Sequence, residues 1–183
     1  MAFGFFGKVP QKGDYLAINL PPAVLGPLET WLADAVSASR RDLDARWHEL
    51  YLVAPIWRFW LPPAVLGLAC TGAIVSSVDS GGRYFPATIL FAAQKSRSIA
   101  PPTDWDSEPW YGALDARLLT ILAEHDERYL EHLVTGLSAP AAGSGVHGRQ
   151  SRWWRGSGGG EDFELILADG LPPPATYAHM LGG

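Results

Sequence analysis

The chain has 183 residues, 48% of them hydrophobic and 18% charged, with a formal net charge of -5 and a pI of about 5.4. That is enough apolar material for a sizeable single core and too little charge for a disordered chain. The acidic balance excludes a global basic field for nucleic acid or an anionic membrane. The single cysteine, Cys70, excludes an intrachain disulfide and fits a reducing compartment.

Taken in chain order, the segment before Pro10 has no basic region ahead of its apolar residues, so it does not read as a signal peptide. Pro21 and Pro22 open a helix. Leu28, Trp31, Leu32, Ala35 and Val36, then Leu43, Trp47 and Leu50, follow at helical spacing. They predict one long helix or two joined near Ser39. The stretch from Tyr51 to Leu61 alternates imperfectly around Pro55. The most apolar region, Tyr51 to Val78, is interrupted by Pro55, Arg58, Pro62, Pro63 and Gly67. A spanning helix needs about 20 apolar residues without such breaks, so no membrane insertion is expected and the protein reads as cytoplasmic.

Residues 69–78 and 84–93 read as strands joined by the turn residues Asp79-Ser80-Gly81-Gly82-Arg83, an antiparallel hairpin. Asp106 or Ser107 caps the next helix, whose stripe runs through Trp110, Leu114, Leu118, Ile121, Leu122, Tyr129 and Leu133 until Gly136 and Pro140 stop it. Residues 139–150 form a small-residue, flexible loop. Phe163 to Ala168 is a last strand, and Pro172-Pro173-Pro174 predicts an extended tail. Leu20-Pro21-Pro22-Ala23-Val24-Leu25-Gly26 recurs as Leu61-Pro62-Pro63-Ala64-Val65-Leu66-Gly67, a repeated turn into a helix start. The order of elements predicts one α/β domain over residues 1–183, a mixed sheet covered by helices.

Catalytic chemistry finds little support. The histidines His48, His125, His132, His147 and His179 form no i, i+4 pair with a carboxylate, so no metal site is expected. Gly4-Phe5-Phe6-Gly7-Lys8 lacks the spacing and the Ser/Thr of a phosphate loop, and no Gly-x-Ser-x-Gly elbow occurs. Cys70 lies in an apolar strand, where a thiol is inert. Lys8, Asp14, Asp79 and Arg83 would form a small-ligand, nucleotide or acid/base site if the fold made them converge. A structural reading stands beside it. Asp79 and Arg83 flank one turn and can pair bidentately, and Arg58 sits among aromatics on which a guanidinium stacks. Such groups serve loop rigidity or partner contact equally well. Arg40-Arg41 and the arginines from Arg149 to Arg155 read as solvated surface. Trp31, Trp47 and Trp110 belong to the core by periodicity. Trp57, Trp60, Trp153 and Trp154 lie in strand or loop segments, with at least one of Trp153 and Trp154 expected at the surface.

Four segments stand out together: Gly4-Phe5-Phe6-Gly7-Lys8-Val9-Pro10-Gln11-Lys12-Gly13-Asp14-Tyr15, Pro55-Ile56-Trp57-Arg58-Phe59, Ser76-Ser77-Val78-Asp79-Ser80-Gly81-Gly82-Arg83-Tyr84-Phe85-Pro86 and Ser151-Arg152-Trp153-Trp154. In order and spacing they resemble the TagF/ImpM family of bacterial type VI secretion. The departures are Ser76 and Ala87, where the family pattern carries proline and leucine. The resemblance implies a three-layer α/β/α sandwich and a non-enzymatic accessory regulator without cofactor. It further implies a post-translational repressor that binds a cytoplasmic scaffold carrying a forkhead-associated domain. The residues it marks are Lys8, Asp14, Trp57, Arg58, Asp79, Arg83, Trp153 and Trp154. The alternatives are a small-ligand or nucleotide-binding regulator or enzyme using Lys8, Asp14, Asp79 and Arg83, and a structural subunit of the secretion machine.

Overall fold

A computed structural model describes residues 2–94, 98–102, 109–124, 126–143, 148–156, 158 and 160–182. The strands are β1 (Ala2–Gly7), β2 (Leu16–Ile18), β3 (Trp57–Leu61), β4 (Cys70–Val75), β5 (Ala87–Ala92), β6 (Ser98–Ile99), β7 (Ala142–Gly143), β8 (Gln150–Arg155) and β9 (Glu164–Asp169). The α-helices are α1 (Pro22–Leu43), α2 (Trp47–Leu52), α3 (Pro63–Leu66), α4 (Pro109–Ala123) and α5 (Thr176–Met180). Among these described residues seven strands form one sheet in the order β2-β1-β5-β4-β3-β8-β9, and β6 pairs with β7 apart from it.

Every neighbouring pair in that sheet is antiparallel, so the expected mixed sheet is corrected. The reason lies in the connections. A parallel pair needs a helical crossover that returns beside its starting strand. Here the helical crossovers join distant strands, β2 to β3 through α1 and α2, and β5 to β8 through α4.

Alternate residues of each strand point to opposite faces, and both faces are covered. On one face Phe6, Trp57, Phe59, Leu61, Leu90 and Trp153 pack with Leu28, Trp31, Leu32 and Ala35 of α1 and with Tyr177 and Met180 of α5. On the other, Phe3, Phe5, Trp60, Ile89, Phe91 and Trp154 pack with Tyr111, Leu114, Leu118 and Ile121 of α4. The result is a single α/β domain. Its central strands β4 and β5 are buried along their whole length, which is why their sequence is small and β-branched rather than alternating. At Gly72 a Cβ would stand 2.3 Å from the Ile89 carbonyl oxygen, so only glycine lets these two strands approach.

Several boundaries differ from expectation. The first helix breaks at Asp44 (φ 44°), not at Ser39. Ser39 is buried inside α1, where its hydroxyl donates to the Val36 carbonyl and accepts from the Trp47 indole at 2.9 Å. Tyr51 and Leu52 complete α2, so the strand begins only at Trp57. The stripe expected to run to Leu133 divides, with α4 ending at Ala123 and a 3-10 turn at Glu127–His132. The side-chain amide of Gln11 donates to the carbonyls of Ile121 (2.6 Å) and Glu124 (2.7 Å), capping the helix end from another loop. Asp106, Ser107, His125 and His147, on which the cap and two histidine readings fall, lie outside the described residues, as does part of the loop 139–150. Pro172-Pro173-Pro174 leads into α5 rather than an extended tail, with the Thr176 and Tyr177 amides donating to the Pro173 and Pro174 carbonyls. The two Leu-Pro-Pro segments behave alike. Pro21 and Pro62 are extended, and α1 and α3 begin at the following proline. No helix among the described residues is long and apolar enough to cross a membrane.

Candidate functional site

The N-terminal and turn motifs meet at one end of the sheet. Gly7 takes φ 128°, and a Cβ there would lie 2.0 Å from the Pro86 carbonyl oxygen. Glycine at this position therefore lets the end of β1 pass against the end of the turn motif. Lys8 follows and directs its ammonium at Oδ2 of Asp79. The loop beyond is tied down as well, since the Ser80 amide donates to the Lys12 carbonyl at 3.3 Å.

Asp79 is the centre of this cluster and is 5% exposed. Its Oδ1 accepts from the backbone amides of Gly81 and Arg83, each at 2.9 Å, and its Oδ2 accepts from Lys8 and from Nε of Arg83 at 2.9 Å. The Asp79 amide donates to the Arg83 carbonyl and its carbonyl accepts from Gly82, which takes φ 75°. The turn is thus wrapped around its own carboxylate. Burial alone would raise the pKa of that group. The Lys8 ammonium and the two amides outweigh burial and hold it well below the usual carboxylate range. Arg83 keeps most of its side chain in solvent (60% exposed). Asp14 is exposed and forms no ion pair with the other three, so three of the four polar residues singled out in the sequence are joined by ion pairs and the fourth is not.

A second arginine–carboxylate pair lies on the α4 face. Arg58 reaches from β3 to Asp115 of α4, with Nε at 3.1 Å and Nη2 at 2.7 Å from the same oxygen, Oδ2. Oδ1 of Asp115 is buried without a hydrogen-bond partner. Burial raises the pKa of this carboxyl in spite of Arg58.

The tryptophans of the remaining motifs are structural. Trp57 is 2% exposed and donates its indole N–H to the Met180 carbonyl at 2.8 Å. Trp153 lies between Trp31 and Phe59, with ring centroids 4.9 and 5.0 Å away. Trp154 meets Tyr111 edge-on at 4.7 Å. Trp153 and Trp154 are each 1% exposed, so the expectation that one reaches the surface is corrected. Consecutive residues do face opposite sides of β8, but both sides are covered. Among the core tryptophans, Trp31 and Trp47 are buried while Trp110 is half-buried. Arg40 is exposed, yet its guanidinium sits 4.2 Å over the Trp47 ring.

In chemical terms these clusters bind the protein to itself. A carboxylate accepting four donors and held ionised has no free lone pair aimed at a substrate. Burial pushes the Cys70 thiol up to about 12, far from a reactive thiolate. Among the described residues no three His, Cys, Asp or Glu side chains gather as metal ligands. Sequence reasoning missed Asp115 and Gln11. Asp115 was visible only as an acid one residue beyond the apolar Leu114, and Gln11 only as a polar residue inside a glycine-bounded loop.

No curated protein matches this chain. Among solved structures, the crystal structure of PA0076 from Pseudomonas aeruginosa PAO1 matches with a TM-score of 0.82 and 27% identity, covering 98% of this chain and 94% of that one. The family model described as the TagF N-terminal domain, type VI secretion system-associated, matches residues 4–137. That span contains the whole Lys8–Asp79–Arg83 cluster and both partners of the Arg58–Asp115 pair, and the chain accordingly belongs to this type VI secretion-associated family.

Proposed function

We propose that the protein is a non-enzymatic regulator of type VI secretion, a post-translational repressor that acts by binding a scaffold component with a forkhead-associated domain. The observation that carries the non-enzymatic part is Asp79, whose two oxygens are both occupied by donors from its own chain. A group so held stiffens a loop and keeps no acid/base capacity near neutral pH. The family membership supports the secretion role. The covering of one sheet face by α1 and α5 and of the other by α4 supports the three-layer reading of the architecture. The rival, a ligand site built on Lys8, Asp14, Asp79 and Arg83, is weakened by the exposure of Asp14 and by the use of Lys8 as an internal strut.

The test is calorimetric titration against the forkhead-associated scaffold of the same secretion cluster. Saturable binding at micromolar affinity or better, about -8 kcal/mol, is the expected result. Arg83→Ala, which removes an exposed guanidinium, is expected to weaken it at least tenfold if the turn faces the partner. Absence of heat and of co-elution would sink the direct-scaffold reading.

A further inference from the structure

The two edges of the seven-stranded sheet are built differently. One edge is β2, only three residues long and followed by Pro21 and Pro22. Short strands and prolines are devices that blunt an edge. The other edge is β9, six residues, Glu164-Leu165-Ile166-Leu167-Ala168-Asp169, with no proline and no lysine. Leu165 and Leu167 are 37% and 52% exposed on the α4 face, opposite Trp154 and Arg152 of β8. Among the described residues no strand pairs with the outer side of β9.

The hydrogen-bond phase of this edge is fixed. The Gly170 amide donates to the Arg149 carbonyl, and the register pairs Ala168 with Ser151, Ile166 with Trp153 and Glu164 with Arg155. In an antiparallel ladder, hydrogen-bonded and non-hydrogen-bonded pairs alternate. Ile166 and Ala168 therefore spend their backbone groups on β8, and Leu165, Leu167 and Asp169 point theirs outward.

We infer that β9 is a self-pairing edge, and that two copies of the chain join there antiparallel about a two-fold axis through Ile166. Only registers that oppose outward-pointing residues satisfy the backbone. An axis at Leu165 would set Glu164 against Ile166 of the second copy. An axis at Leu167 would set Asp169 against Leu165. An axis at Ile166 opposes Leu165 to Leu167 in both directions, so the four leucines cluster on one face, and sets Ile166 against its own copy on the other. It also leaves Glu164 opposite Ala168, with no carboxylate facing another carboxylate. At the flank it brings Asp162, exposed, opposite Gly170 of the second copy, whose neighbour is the Arg149 guanidinium, a group that also pairs with Asp169 of its own copy at 3.2 Å. This charge match occurs twice by symmetry. The interface is small, so a reversible micromolar dimer is the expected strength.

The full chain is examined by sedimentation velocity at concentrations up to about 100 µM. A concentration-dependent dimer is expected, and Leu167→Lys, folded by circular dichroism, should weaken it at least tenfold. Leu165→Lys serves if that variant does not fold. Ile166→Cys tests the register, because a non-hydrogen-bonded pair places two Cα atoms about 4.5 Å apart, within disulfide reach. Oxidation should give an intermolecular disulfide, with Cys70 remaining buried. A monomer throughout, a dimer indifferent to the lysine substitutions, or a dimer that Ile166→Cys does not cross-link would each overturn the inference. None of these readouts depends on the scaffold.

Discussion

Asp79 and Asp115 are both carboxylates that the fold takes largely out of water and sets against an arginine, yet their environments push them in opposite directions. Asp79 receives four donors on two oxygens and is held ionised far below the ordinary range. Asp115 receives two donors on one oxygen, keeps the other bare, and has its pKa raised. An arginine partner does not by itself stabilise a desolvated acid. The number and direction of donors decide the outcome, and backbone amides in a tight turn are the cheapest way to supply them.

That contrast can be broken experimentally. The largest effect is expected for Asp79→Ala, which leaves Lys8, Arg83 and two amides without their acceptor. Loss of about 3–5 kcal/mol in urea unfolding is expected, and a loss as small as that for Asp115 would erase the distinction. Next is Lys8→Met, which keeps three donors on Asp79 and removes the buried ammonium, with an expected loss of about 1–3 kcal/mol. Acid unfolding sharpens the point. Because the folded pKa of Asp79 is depressed, its stabilisation is complete above the unfolded value of about 3.9 and is lost as pH falls towards the folded value. Asp79→Asn should therefore flatten the acid limb of the stability curve. The smallest effect is expected for Asp115→Asn, about 1 kcal/mol or less at neutral pH. Its sign of pH dependence is opposite. A raised folded pKa costs stability as pH climbs above about 3.9, so this variant should gain on the wild type with rising pH. Parallel curves would refute the assignment.

Much of this was legible in the chain. The hairpin around Gly82, the stripe of α1, the buried character of Cys70 and the last strand followed from turn chemistry and periodicity, which are local properties. The Asp79–Arg83 pair was readable because both residues flank one turn. The link from Lys8 was not, because it joins positions 71 residues apart in sequence. Nor was Asp115, whose partner lies on another element. The fate of Trp153 and Trp154 failed for a similar reason. Alternation says that neighbours face opposite ways, but not that α1 waits on one side and α4 on the other. The break after Ala123 escaped because Gln11, more than a hundred residues earlier, caps that helix.

The position of β8 between β3 and β9 has a consequence for the growing polypeptide. Synthesis delivers β3, β4 and β5 early, but the outer side of β3 has no partner until residues 150–155 appear. Until then the backbone of Trp57 to Leu61 is an open apolar edge. Trp153 and Trp154, which plug the two faces, arrive with β8. The sheet on this side is therefore completed only when β8 docks. An uncovered strand of this composition is a template for aggregation.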